Sequence, residues 1–329
     1  MTGAAEPGGP RLPVHYLLPL RWKDDKGIDD LADYLGSLVP HVDVILVDGS
    51  DAERRAEHRA ALPAGITVLD CDRRACRNGK VAGVLAALPT LWRPLTIIAD
   101  DDVRYDPADL HRVVELLDGA DLVIPQNHFR PADHRRLPWH ADWDTARTLI
   151  NRALGSDFPG TLALRTEMLA GGYDGDVLFE NLELIRTVRA RGGTVRSARD
   201  LFVARRPPAT TGFIDQRIRQ AYDSWAQPAR FLAELSVLPL AATLLRRPVP
   251  AVAATLLVIA VAEAGRRRAS GTEVFSPTAS LWAPLWVGER AICAWIALWL
   301  GLRGGVKYHG TRLRLAAHSQ RRLDREWRR

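Results

Sequence analysis

The chain has 329 residues, of which 47% are hydrophobic and 26% charged, the balance of a folded protein with room for one large domain and an appendage. Its three cysteines, Cys71, Cys76 and Cys293, make no paired framework and no metal spacing, which excludes a disulfide-stapled scaffold and points to a reducing compartment. A net charge of +6 suits anionic partners such as nucleotide phosphates or anionic lipid, and the basic clusters (Arg205-Arg206, Arg246-Arg247, Arg266-Arg267-Arg268 and the tail from Arg312) lie late in the chain.

Residues 1–13 are polar and rich in Gly and Pro, with no apolar core; they are expected to be disordered, with no cleavable signal peptide. Residues 14–20 read as a first strand, and a polar loop from Arg21 to Gly27 leads to a helix ending near Val39. Residues 42–47 form a second strand running into Asp48-Gly49-Ser50-Asp51, and residues 65–69 a third. Asn78-Gly79-Lys80 opens a small-residue helix to about Leu88. Residues 95–99 are a fourth strand ending in Asp100-Asp101-Asp102. Asp106-Pro107 sets an N-cap with proline at the first helical position, and residues 121–125 are a fifth strand. Strands alternating with helices predict a mostly parallel α/β sheet, in which ligands bind beyond the carboxyl ends of the strands. Asp48, Lys80 and Asp100 to Asp102 all fall on that edge, and no Gly-x-Gly-x-x-Gly follows the first strand.

Further along, residues 139–154 are helical, 158–165 a strand entered through a glycine turn, 176–191 a helix stopped by Gly192-Gly193, 194–205 a strand and 215–230 an amphipathic helix. Composition then shifts. Residues 231–245 (apart from Glu234), 249–262 and 281–302 are apolar, the last interrupted by Glu289-Arg290 and rich in tryptophan. Their clustering and arginine punctuation predict a membrane or its interface, although a packing subdomain of a soluble protein has the same composition. The expected layout is a disordered stretch over 1–13, a catalytic α/β domain over 14–230, membrane or interfacial helices over 231–303, and a basic tail over 304–329.

The acidic strand end carries the chemistry. Three carboxylates at the tip of a buried strand repel one another and lose hydration unless a cation sits among them. A hard divalent ion, Mg²⁺ or Mn²⁺, with oxygen ligands and substrate phosphates meets that need; a solvated acidic loop is the alternative.

Taken together, Asp48-Gly49-Ser50-Asp51, Asn78-Gly79-Lys80, Asp100-Asp101-Asp102, Phe179-Glu180-Asn181-Leu182-Glu183 and Gln216-Arg217-Ile218-Arg219-Gln220 resemble family 2 glycosyltransferases. The resemblance runs from about Val14 to Trp225. It implies a GT-A fold, Rossmann-like and mostly parallel, and inverting transfer of a sugar from a nucleotide diphosphate sugar. The apolar C-terminal part is similar to that of the lipid- and polysaccharide-making branches, which implies a lipid or lipid-linked acceptor at the cytosolic face of the cell membrane. By this resemblance Asp48 holds the nucleoside, and Lys80, Gln216 and Arg219 meet the nucleotide and its phosphates. Asp102 ligates the metal directly, and Asp100 contacts the ribose or the metal through water. The family's usual general base is the aspartate of a Glu-Asp pair, and Asn181 stands there; an amide takes up no proton. The base is then Glu180 or Glu183, or the acceptor is a phosphate that needs none. Gln220 replaces the tryptophan of the family's Gln-x-x-Arg-Trp signature, and Trp225 follows it. The segment from Gly304 to Gly310 resembles a basic-aromatic stretch expected at the membrane surface. Two other classes fit less of the chain: a HAD-type phosphohydrolase, contradicted by Arg104 where Thr or Val belongs, and a GT-A binding protein without a base. No nucleic-acid module is visible.

Overall fold

The computed structural model describes residues 11–22, 27–71, 76–131, 136–244, 246–308 and 311–327. Most of the expected disordered start, the middle of the loop after the first strand, and His309-Gly310 lie outside the described residues. In chain order the elements are β1 (Val14–Leu20), α1 (Ile28–Leu38), β2 (Asp43–Asp48), α2 (Ala52–Ala61), β3 (Ile66–Asp70), α3 (Gly79–Ala87), β4 (Leu95–Ala99), β5 (Val103–Arg104), α4 (Pro107–Leu117), β6 (Leu122–Phe129), α5 (Trp139–Leu154) and β7 (Thr161–Arg165). They continue with α6 (Glu180–Ala190), β8 (Val195–Arg205), α7 (Thr210–Tyr222), α8 (Pro228–Leu244), α9 (Pro248–Arg267), α10 (Ala283–Leu302), β9 (Val306–Tyr308), β10 (Thr311–Leu313) and α11 (Gln320–Trp327).

Eight strands form one sheet in the order β3-β2-β1-β4-β7-β6-β8-β5. The first four are parallel, β7 is antiparallel to both of its neighbours, and β6 and β8 run parallel. This mixed sheet is of the GT-A type. Both of its faces are covered, which is why β1 is buried at six of its seven positions, His15 included, rather than at alternate ones. Tyr16 and Leu18 pack under α1 and α4 with Leu31, Leu35 and Leu110, whereas Leu17 packs under α3 and α6 with Val84 and Ile185.

Several features depart from the sequence reading, and the helix expected over residues 215–230 is divided between α7, which ends at Tyr222, and α8, which starts at Pro228. Short β5, which folds the chain back beside β8 just after the acidic turn, carries too few residues to show a pattern. The helix expected from residue 176 starts at Glu180. The preceding backbone is committed elsewhere: Leu178 and Phe179 donate to the carbonyls of Leu315 and Ala316, at 3.0 and 2.8 Å. The C-terminal segment is accordingly an ordered part of the α/β domain. It forms the β9–β10 hairpin and then packs α11 on α6, so the domain takes in residues on both sides of the apolar helices.

Those helices are docked as well as apolar. Arg152 of α5 is fully buried and, among the described residues, forms no ion pair with a carboxylate. It donates instead to Gly265 O (3.1 Å) at the end of α9, to Gln126 Oε1 (3.0 Å) and Arg199 O (2.8 Å) of the sheet, and to Arg268 O. The approach of α9 to α5 is so close that a Cβ on Gly265 would lie 1.8 Å from Leu149 O. Gly265→Ala should therefore force the two helices apart and destabilise the protein by about 1–3 kcal/mol, read from denaturant unfolding. An unchanged midpoint would contradict the packing described.

Candidate active site

Beyond the carboxyl ends of β1 and β4 lies a cavity of about 360 Å³, lined by the acidic turn, the start of α3, the start of α6, α7 and the β9 hairpin. Its volume falls in the range of small-molecule sites. The acidic turn is fixed from behind. Arg104 donates to Asp101 O (2.6 Å) and Asp30 (2.6 Å), and Arg206 also reaches Asp30 (3.0 Å). Asp101 accepts from the indole N–H of Trp22.

Asp100 and Asp102 both line the cavity, each held by a cation. Lys80 Nζ lies 2.6 Å from Asp100 and 3.2 Å from Glu180, and donates to Asn181 Oδ1 at 3.3 Å. Burial alone would lower the pKa of this ammonium; Asp100 and Glu180 outweigh it and hold Lys80 above the usual range. Asn78 places the lysine. Its buried side chain caps α3 by accepting from Lys80 N and Val81 N, while its amide donates to Val177 O at 3.0 Å. Asp102 pairs with Arg205 at 2.6 Å through one oxygen, and its other oxygen, Oδ1, is buried without a partner. Burial, opposed by Arg205 and reinforced by Asp100 and Asp101, pushes the Asp102 carboxyl up to about 6.

An orphaned carboxylate oxygen among crowded acids has the chemistry of a ligand for a hard cation. Gly160 completes the cradle, since a Cβ there would lie 2.4 Å from Asp100 Oδ2. Among the described residues no three His, Cys, Asp or Glu side chains form a metal cage. Ions of this kind, when shared with phosphates, need only one or two carboxylates.

The other expected site residues divide. Glu180, Gln216 and Arg219 line the cavity together with Lys80, Asp100 and Asp102. Asp48 does not. It is 1% exposed, and its oxygens take the Ser50 N–H (2.8 Å) and His58 Nδ1 (2.7 Å), so it stiffens the turn beside the cavity. Glu183 is 0% exposed and also outside: it accepts from His318 N (2.7 Å) and faces His318 Nδ1 (2.9 Å), tying down the C-terminal segment. Three residues along a helix leave two side chains about 60° apart, and at this cavity edge that offset puts Glu183 in the core. The choice of cavity carboxylate on α6 narrows to Glu180. Asn181 donates to Pro159 O at 2.9 Å, bridging that loop to Lys80. Trp225 is not in the cavity; its indole donates to Ala297 O (3.2 Å) of α10.

Several cavity residues had no sequence signal or a misleading one. Arg205 reads as half of a basic pair at a strand end. Tyr308 sits in the stretch expected at the membrane surface, and Arg290 sits in an apolar run. Asp223, just after α7, is an ordinary acid in the sequence, yet it is enclosed in the cavity wall with Oδ1 unpartnered. Burial and then Glu180 push its carboxyl up to about 8, against the pull of Arg219, Arg290 and Arg230.

Asp223 sets a pH dependence whose sign follows from that shift. Folding raises its pKa, so between the ordinary aspartate range and about 8 the folded state holds the proton more tightly. Stability from this group is lost as pH rises, and the loss is complete above pH 8. Thermal unfolding at pH 6 and pH 9 should show wild type falling by about 2 °C or more relative to Asp223→Asn; parallel curves would contradict the burial of this carboxyl.

The fold and the cavity can be compared with known proteins. No protein-family model matches the chain, and no curated protein sequence does. Among solved structures, the mannosyltransferase PcManGT from Pyrobaculum calidifontis, in complex with GDP-Man and Mn²⁺, is similar over 90% of this chain and 89% of its own, at 21% identity and a TM-score of 0.51. The glucosyl-3-phosphoglycerate synthase from Mycobacterium tuberculosis, in complex with Mn²⁺, UDP and phosphoglyceric acid, matches 63% of this chain and 76% of its own, at 18% identity and a TM-score of 0.44. The chain thus has the GT-A fold that it shares with the Pyrobaculum mannosyltransferase.

Proposed function

We propose that this protein is a metal-dependent inverting glycosyltransferase. It moves a sugar, a hexosyl group by our reading, from a nucleotide diphosphate sugar to a lipid or lipid-linked acceptor at the cytosolic face of the cell membrane. The observation that carries this reading is the convergence of Asp100, Asp102, Lys80, Glu180 and Arg219, from separate elements, on one cavity at the carboxyl edge of a GT-A sheet. That the Pyrobaculum enzyme with the same fold holds GDP-Man and Mn²⁺ supports it.

Asp100 and Asp102 would hold Mg²⁺ or Mn²⁺, which when bound neutralises a diphosphate and eases its departure. Lys80, at the N-terminus of α3, and Arg219 present positive charge to phosphate oxygens, and Gln216 adds hydrogen bonds. Glu180, at the start of α6, is the carboxylate available to an acceptor hydroxyl; an acceptor that attacks through phosphate does not need it as a base.

The membrane part rests on α9 and α10. The helical stretches Pro248–Arg267 and Ala279–Leu302 are long and apolar enough to cross a bilayer. On α9, Val249, Val252, Leu256 and Leu257 are all exposed. The middle of α10 faces protein: Arg217 of α7 lies 3.0 Å from Asp144 and 3.7 Å from Glu289. Glu289 thus faces a buried cation rather than lipid, which lowers the cost of its charge in an apolar helix.

Calorimetric titration with UDP- and GDP-sugars, with and without Mn²⁺, tests the donor reading. Metal-dependent binding is expected in wild type, with a loss of about tenfold or more in Asp102→Asn while circular dichroism stays native. Undiminished binding by that variant would remove Asp102 from the metal site. Glu183→Gln should keep nucleotide binding and lose about 1–3 kcal/mol of stability, because it strips a buried acceptor from His318. Nucleotide binding with no turnover on any acceptor would favour a binding protein instead.

A further inference from the structure

A second cavity, of about 660 Å³, adjoins the first and has the opposite character. It runs between α5, α6, α8 and α10 and is walled by apolar side chains such as Ile150, Leu182, Ile185, Val237 and Trp286. The two cavities share Asn151, Phe158, Gln227, Arg230 and Arg290 as a common wall. At that wall Arg290 is 2% exposed, and its Nε and Nη1 are buried without a partner. The nearby acids do not satisfy it. Glu234 meets Arg230 at 2.9 Å through Oε1 and Glu289 lies 3.7 Å from Arg217, while Glu234 Oε2 and both Glu289 oxygens stay unpartnered; among the described residues neither acid forms an ion pair with Arg290. A buried guanidinium left open at the meeting of a polar cavity and an apolar groove calls for an anion with an apolar tail.

The geometry points to an acceptor site for a lipid phosphate: the phosphate binds at Arg290 and Arg230, its chain lies in the apolar groove, and its free oxygens face the cavity that holds Asp100 and Lys80. This rests on the glycosyltransferase reading above and names its acceptor. It also accounts for Asn181. An ionised phosphate oxygen forms the bond to the anomeric carbon as the bond from that carbon to the β-phosphate oxygen of the nucleotide breaks. The electron pair leaves with the nucleoside diphosphate, and no side chain has to remove a proton.

The test uses the full chain in detergent, with decyl phosphate, decanol and inorganic phosphate as probes and tryptophan fluorescence as the readout, since Trp286 lines the groove. Decyl phosphate should bind at least about tenfold more tightly than either fragment. Arg290→Gln should weaken decyl phosphate about tenfold or more, the scale of a lost charge-assisted contact. Ala233→Trp, which fills the groove, should bring decyl phosphate down to the affinity of inorganic phosphate. Decyl phosphate no tighter than inorganic phosphate would overturn the site in favour of a small soluble anion. Binding equal to that of decanol would reduce it to an apolar groove, and full binding by both natively folded variants would also overturn it. Mn²⁺-dependent nucleotide binding, followed by calorimetry in Ala233→Trp, whose site lines the apolar groove and not the first cavity, should be unchanged, so that a failed acceptor site is distinguished from a failed donor site.

Discussion

One ammonium group organises the cavity-bearing half of this molecule. Lys80 stands between Asp100 from the end of β4 and Glu180 and Asn181 from the start of α6. Two carboxylates brought this close in a buried cleft would repel, and a single cation between them turns that repulsion into a tie. The lysine in turn depends on Asn78, which caps α3 with one end of its side chain and holds the 177–178 backbone with the other. The sheet edge, the capped helix and the loop before α6 thus meet at one charge.

How far the sequence revealed this depends on how local each signal was. The strand that ends in three aspartates, the Asn-Gly-Lys helix start and the Gln-x-x-Arg pattern are read from adjacent residues, and the structure brings them into one cavity. Asp48 and Glu183 are equally conspicuous as acids, but their environments come from far along the chain or from the turn of a helix. His318, which occupies Glu183, lies beyond all the apolar segments. Asp223 carries no signal, and Arg290 shows only as a charge in an apolar run; what singles both out in the structure is unpartnered buried polar atoms, a property of packing. The late start of α6 has a similar origin, since the backbone before it pairs with residues 315 and 316.

The apolar helices are joined to the sheet by polar contacts rather than by a flexible linker. Arg152 gathers carbonyls from α9 and β8 around one guanidinium, and Arg217 spans α5, α7 and α10. Such contacts are directional, so they fix the angle between the helices and the cavity as well as their proximity. Any surface that α9 and α10 engage will therefore hold the cavity mouth in one orientation.

The pairing of residues 177–179 with the C-terminal stretch also has a temporal side. Tyr308, in the cavity wall, and His318, which anchors α6, are synthesised after α10. A nascent chain therefore has its apolar helices out of the ribosome before the cleft can close. The cavity is assembled last, so newly made molecules pass through no stage in which the cleft is finished and those helices are still to come.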